Sequence, residues 1–175
     1  SNVDFLPTLL DFAGDTNHKD DFDGKSFKAA LEGEKIAGRT SMYHELGYAR
    51  AVVKNDFKYY AVRYPKWAQD FTLEQRKDTL AKYSKYRESF GEHAISKNPT
   101  APYGHLEMVP GGGGAEHNAY KSHPNFTATD QLYDLKNDPD EKVNLFNNPQ
   151  YAEQLKMLKA ELNSYLSTLP GKFDL

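Results

Sequence analysis

Three short runs rich in Val, Tyr and Phe follow one another almost without a break: TSMYHELG from Thr40, RAVVKN from Arg50 and KYYAVRYP from Lys58. Gly47 separates the first from the second, and Asn55-Asp56 the second from the third. Connections that short leave no room for a crossover helix, so successive strands must pair antiparallel. An antiparallel meander therefore occupies the middle of the chain. QLYDL, from Gln131, reads as a fourth strand. NNPQYAEQLKMLKAELNSYL then gives the clearest helix, with Asn148 as its cap and Pro149 at its first position. Tyr151, Leu155, Leu158, Leu162, Leu166 and Leu169 form one apolar stripe, while Glu153, Lys156, Lys159 and Glu161 are expected to face water. The pattern predicts an α+β fold: a small antiparallel sheet of about four strands with the C-terminal helix packed across one face.

The first third of the chain is different. In VDFLPTLLDFAG, Phe5, Leu6, Leu9, Leu10 and Ala13 recur at helical spacing, Pro7 fits a first turn, and Gly14 is a natural stop. Such a helix is apolar on more than one side and expects a neighbour on each. It reads as the last helix of something larger. DGKSFKAALEG, from Asp23, predicts a turn and a short helix ending at Gly33. Thr72 and Gln75 fit a capping box opening a helix that runs to about Phe90, with Leu73, Leu80, Tyr83 and Phe90 as a thin apolar stripe. The segment from Gly91 to Thr129 holds the run Gly111 to Gly114 and four of the six histidines. Loops of such length in a compact domain are usually functional or mobile.

Composition narrows the function classes. Twelve Tyr, ten Phe and one Trp supply enough large side chains for a core, so the chain reads as folded despite 38% apolar content. The net charge of −3 argues against a nucleic-acid partner. No apolar run is long enough for a membrane span. The absence of Cys removes disulfides, thiolate metal sites and cysteine nucleophiles. No signal peptide opens the chain, and Ser1-Asn2 has the look of a tag remnant.

The acidic stretch DLKNDPDEKVNL offers Asp134, Asn137, Asp138, Asp140 and Glu141. A calcium loop would need a Gly where the chain turns, and Pro139 holds the backbone in the wrong shape for one. The stretch predicts a turn at Asp138-Pro139, with acidic groups near the start of a short helical turn. With the LYDL before it, its Asp-Pro, Glu and Asn-Leu resemble the C-terminal region of sulfatases, which belong to the alkaline-phosphatase-like hydrolases. SNVDFLPTLLDFAG resembles the helix closing that family's catalytic domain, DGKSFKAALEG the segment after it, and RAVVKNDFKYY the strand pair opening the C-terminal subdomain. The four pieces stand in the family's order.

The resemblance implies a division at 33: residues 1–33 as the tail of a missing catalytic domain with its linker, and 34–175 as a C-terminal subdomain with an insertion at about 65–129. It implies a parent that hydrolyses sulfate esters of sulfated carbohydrates or aryl groups, exported to the periplasm or beyond. Its formylglycine, made in a Cys/Ser-x-Pro-x-Arg motif, and its calcium ion would lie in the missing domain, leaving no cofactor, metal ligand or catalytic residue here. Ser122 and Pro124 have that motif's spacing, but Phe126 stands where Arg is required. Asp20-Asp21 follows a polar loop rather than a buried strand, and reads as a solvated turn.

Residues for one wall of a sugar pocket remain. Trp67, Tyr103, His105, His117 and His123 combine aromatic faces with hydrogen-bonding imidazoles, and His105 and Trp67 lead this set. His44 is expected to be a satisfied core histidine, on the face opposite Tyr43 and Glu45. Gly111 to Gly114 reads as a hinge rather than a phosphate cradle, and Arg50, Lys54, Lys58 and Arg63 as an ordinary solvated face. The expected partners are the missing N-terminal catalytic domain, a sulfated glycan, and a second copy through the first helix. A self-standing carbohydrate-binding module is the alternative, and a small hydrolase built on the loop histidines a third.

Overall fold

A computed structural model describes residues 1–15, 21–92, 122, 123, 125 and 128–175. The chain divides into two compact units, Ser1–Arg39 and Thr40–Leu175.

In the first unit a single 3-10 turn, Asn2–Asp4, leads into helix α1 (Phe5–Phe12), which ends at Gly14 with φ +78°. Only glycine takes that left-handed conformation without cost. Helix α2 (Lys28–Leu31) is one turn long and ends at Gly33 with φ +90°. An edge-to-face contact of Phe5 with Phe27 joins the segments, and polar contacts tie them further. The Thr8 hydroxyl donates to the Asp4 carbonyl at 2.6 Å and accepts the Phe27 N–H at 3.1 Å. The Asp4 carboxylate accepts the Lys25 N–H at 2.8 Å and pairs with the Arg39 guanidinium. The chain passes so close at Gly24 that a Cβ there would sit 1.9 Å from the Val3 carbonyl oxygen. These contacts give a physical reason for the Asp, Thr and Gly in the two sequence pieces. The apolar residues of α1 are poorly covered: Phe5 is 61% and Leu9 64% exposed.

The second unit is the expected sheet. Strands β1 (Met42–Leu46), β2 (Ala49–Lys54), β3 (Phe57–Val62) and β4 (Asp130–Asp134) pair antiparallel in that order. Asn55 and Asp56 both take positive φ, which is how a two-residue loop matches the twist of its strands. Between β3 and β4 lie α3 (Lys66–Gln69) and α4 (Leu73–Glu88). Thr72 and Gln75 cap α4 reciprocally, as their spacing predicts. Of its apolar stripe Leu80 is buried, while Leu73 and Phe90 are exposed.

A 3-10 turn, Pro149–Tyr151, precedes helix α5 (Ala152–Leu166), and the Asn148 side chain caps it by accepting the Gln150 N–H. Leu158 and Leu162 are fully buried against Val52, Tyr59, Ala61 and Leu132 on one face of the sheet. Burying each leucine contributes about 2 kcal/mol. Lys159 and Glu161 do not simply face water. The Lys159 ammonium lies over the Tyr59 and Phe146 rings, and Glu161 bonds to the sheet. The other face of the sheet also buries Ala49, Ala51, Val62, Gln131 and Tyr133.

His44 is exposed rather than a core residue. The alternation is as expected, and the Tyr43 hydroxyl donates to Glu45 on the same face at 2.8 Å. But β1 is the edge strand, so a residue on its far side has no layer to enter.

Candidate functional site

The corner after β4 is built from side chains folded back onto backbone. Asp134 accepts the N–H groups of Lys136 and Asn137, each at 3.1 Å, and the Asn137 side-chain amide at 2.8 Å. Asp138 accepts those of Lys142 and Val143 at 3.0 and 2.8 Å. These donors hold both carboxyls below the usual carboxylate range, led by the Asn137 amide for Asp134 and by the Lys142 N–H for Asp138. Glu141 has φ +56° and places its two carboxylate oxygens on the Lys58 ammonium, each at 2.8 Å. The Asn144 side chain accepts the N–H groups of Leu132 and Phe146 and donates to the Asp130 carbonyl. Leu145 N–H then bonds the Leu132 carbonyl at 2.8 Å. Asp134, Asn137, Asp138, Glu141 and Asn144 thus have structural tasks, and the stretch is a turn, as read, but no helical turn follows it before Pro149. Among the described residues no three His, Asp or Glu side chains are placed to hold a metal ion.

The sequence-predicted pocket residues divide. Tyr103, His105 and His117 lie outside the described residues. His123 is half-buried and borders a shallow depression of about 440 Å³ with Pro139, Asp140, Glu141 and Lys142. The Lys142 ammonium donates to the Ser122 carbonyl at 3.0 Å, and the Asn125 amide to the Lys142 carbonyl at 3.3 Å. So Ser122 and Asn125 are fastened to the acidic corner. Trp67 stands on α3, 49% exposed, with its ring edge-on to Phe71 at 5.6 Å. It does not line the depression at His123.

The four cations of the central strands are not a solvated face. Their side chains are only 17–26% exposed, and each meets a carboxylate: Arg50 with Glu45, Lys54 with Glu161, Lys58 with Glu141, Arg63 with Asp130. Alternation also splits them, with Lys58 on the face away from Arg50 and Lys54. Two of these pairs belong to larger clusters that sequence reasoning missed, because their members are far apart along the chain. In one, Asp130 accepts from the Tyr59 hydroxyl at 2.5 Å and from Arg63 at 2.9 Å. Burial, then the Asp130 hydrogen bond, pushes the Tyr59 phenol up. Burial alone would raise the Asp130 carboxyl, but the bonds from Arg63 and Tyr59 outweigh it and hold it low. In the other, Glu161 accepts from Lys54 at 2.6 Å and from Ser41, whose hydroxyl also meets the Tyr165 hydroxyl at 2.9 Å. A protonated phenol on a satisfied carboxylate is neither a ready base nor a nucleophile. Both clusters clamp the sheet to its surroundings.

Comparison with solved structures places this architecture. A protein from Bacteroides thetaiotaomicron VPI-5482 assigned as a sulfatase matches 98% of this chain with a TM-score of 0.50 and 21% identity. A 2-O GAG sulfatase matches 98% with a TM-score of 0.49 and 20% identity. BT4656, solved with its substrate D-glucosamine-2-N,6-O-disulfate, matches 95% with a TM-score of 0.51 and 22% identity. The fold is one that sulfatases carry. The chain spans only about a quarter of those proteins, covering 27%, 27% and 24% of their lengths. No family model matches the sequence. No curated protein matches it either.

Proposed function

We propose that this chain is the C-terminal, non-catalytic part of a sulfatase that hydrolyses sulfate esters of carbohydrates. One observation carries the reading: nearly the whole chain is accounted for by a quarter of the length of solved sulfatase folds. The order of the four sequence pieces supports it from a separate direction. In this reading residues 1–33 are the tail of the catalytic domain, and 34–175 form the subdomain that leans on it. Formylglycine and calcium belong to the absent portion, and the parent works in the periplasm or outside the cell. Trp67 and His123, with Tyr103, His105 and His117, are the residues of this chain that would form one wall of the sugar pocket. The poorly covered apolar side of α1 fits a helix whose natural neighbour is the catalytic domain; without it, a second copy would be its substitute.

The test uses the purified 175-residue chain. It should release no product from a chromogenic aryl sulfate, and calorimetric titration with sulfated polysaccharides should be silent. Chelator-sensitive turnover would refute the non-catalytic role. Saturable binding without turnover would favour the self-standing carbohydrate-binding module instead.

A further inference from the structure

The two edges of the sheet are finished differently. On β4, Asn144 and Leu145 occupy the outer edge and bond the backbone of Asp130 and Leu132. On β1 no described residue does the same. Leu46 and Ala49 close a two-residue loop at Gly47-Tyr48, and Gly47 has φ +53°, suited to the first position of such a turn. The closing pair is hydrogen-bonded, and the pattern alternates from there. Met42, His44 and Leu46 therefore turn their N–H and C=O groups toward β2. Those of Tyr43 and Glu45 point outward, in position to bond another strand.

The side chains along this edge suit one occupant. Met42 is 45% and Leu46 73% exposed, each two residues from His44, and His44 is exposed between them. If a second β1 lies antiparallel with His44 opposite its own copy, Met42 falls opposite Leu46 of the other chain, twice. Tyr43 falls opposite Glu45, twice; each Tyr43 hydroxyl already donates to Glu45 of its own chain, so what these positions add is the backbone pairing. Those Tyr43–Glu45 positions are the ones with free outward backbone groups, so the register that pairs the side chains also pairs the hydrogen bonds. The strand contains no Lys or Pro to repel a partner. We infer that β1 is a self-complementary edge through which two copies of this chain join their sheets about a twofold axis at His44. The inference stands apart from the sulfatase reading, since it uses only the edge geometry.

Sedimentation of the 175-residue chain near neutral pH tests it, together with amide hydrogen exchange. The expected result is a concentration-dependent dimer in which the Tyr43 and Glu45 amides become protected as the dimer fills. His44→Lys sets two ammonium groups face to face, and should weaken association about tenfold or more while leaving circular dichroism unchanged. Leu46→Glu, at another exposed position, should do the same by opposing a carboxylate to Met42. A chain that stays monomeric at every concentration would overturn the inference. So would a dimer that survives both variants and is lost in Leu9→Asp, because that dimer would run through α1.

Discussion

At Gly24 the backbone itself is the obstacle to a side chain. A methyl group would lie 1.9 Å from the Val3 carbonyl oxygen, and backbone cannot swing aside as a flexible side chain can. Gly24→Ala is therefore expected to destabilise the Ser1–Arg39 unit by about 1–3 kcal/mol, read as lost exchange protection at the Lys25 and Phe27 amides. Two tyrosines make a second residue-scale prediction. Burial, reinforced by the Glu45 hydrogen bond, pushes Tyr43 up to about 12. Burial, reinforced by the charges of Glu141 and Asp138, does the same for Tyr133. The folded state holds both protons more tightly than the unfolded chain, whose tyrosines titrate near pH 10. Their stabilising contribution is complete below about pH 10 and drains away as the pH rises toward 12. Phenolate absorbance followed with circular dichroism should show these two groups ionising late, with the loss of structure. Ionisation of every tyrosine near pH 10 in a folded chain would contradict it.

At the scale of elements, Asn144 joins β4 to the segment that protects its edge. It satisfies the N–H of fully buried Leu132. Asn144→Ala strands that donor and should cost about 1–3 kcal/mol in urea denaturation. Elements of this kind mark where sequence reading stops. The four strands were legible because alternation and two-residue loops are local signals, and α5 because its leucines repeat at helical spacing. The order of strands in a sheet is not local, so the exposure of His44 could not be read. Nor could Ser41 meeting Glu161 across 120 positions, or Tyr59 meeting Asp130 across 71. The resemblance singled out the acidic corner as a motif, and the structure gives the reason for Asp134, Asn137, Asp138 and Asn144 in it. The predicted pocket was legible only as a set of residue types. Trp67 and His123 are placed, and Trp67 does not line the depression that His123 borders.

At the scale of the whole molecule, several polar groups among the described residues that would be candidates for chemistry are held by structure. The cations of the central strands meet carboxylates, the corner aspartates hold backbone, and the buried phenol keeps its proton. That pattern is what the proposed supporting role would require of a chain whose fold spans about a quarter of the solved sulfatases it resembles. The decisive measurement is made on the product of the whole reading frame that encodes this chain. Mass spectrometry of its tryptic peptides, paired with sulfate release from a sulfated sugar, tests whether the reacting group lies outside these residues. The account predicts a formylglycine in a peptide upstream of Ser1, with sulfate release that stops when calcium is removed. A reading frame with no such peptide, or sulfate release by residues 1–175 alone, would contradict it.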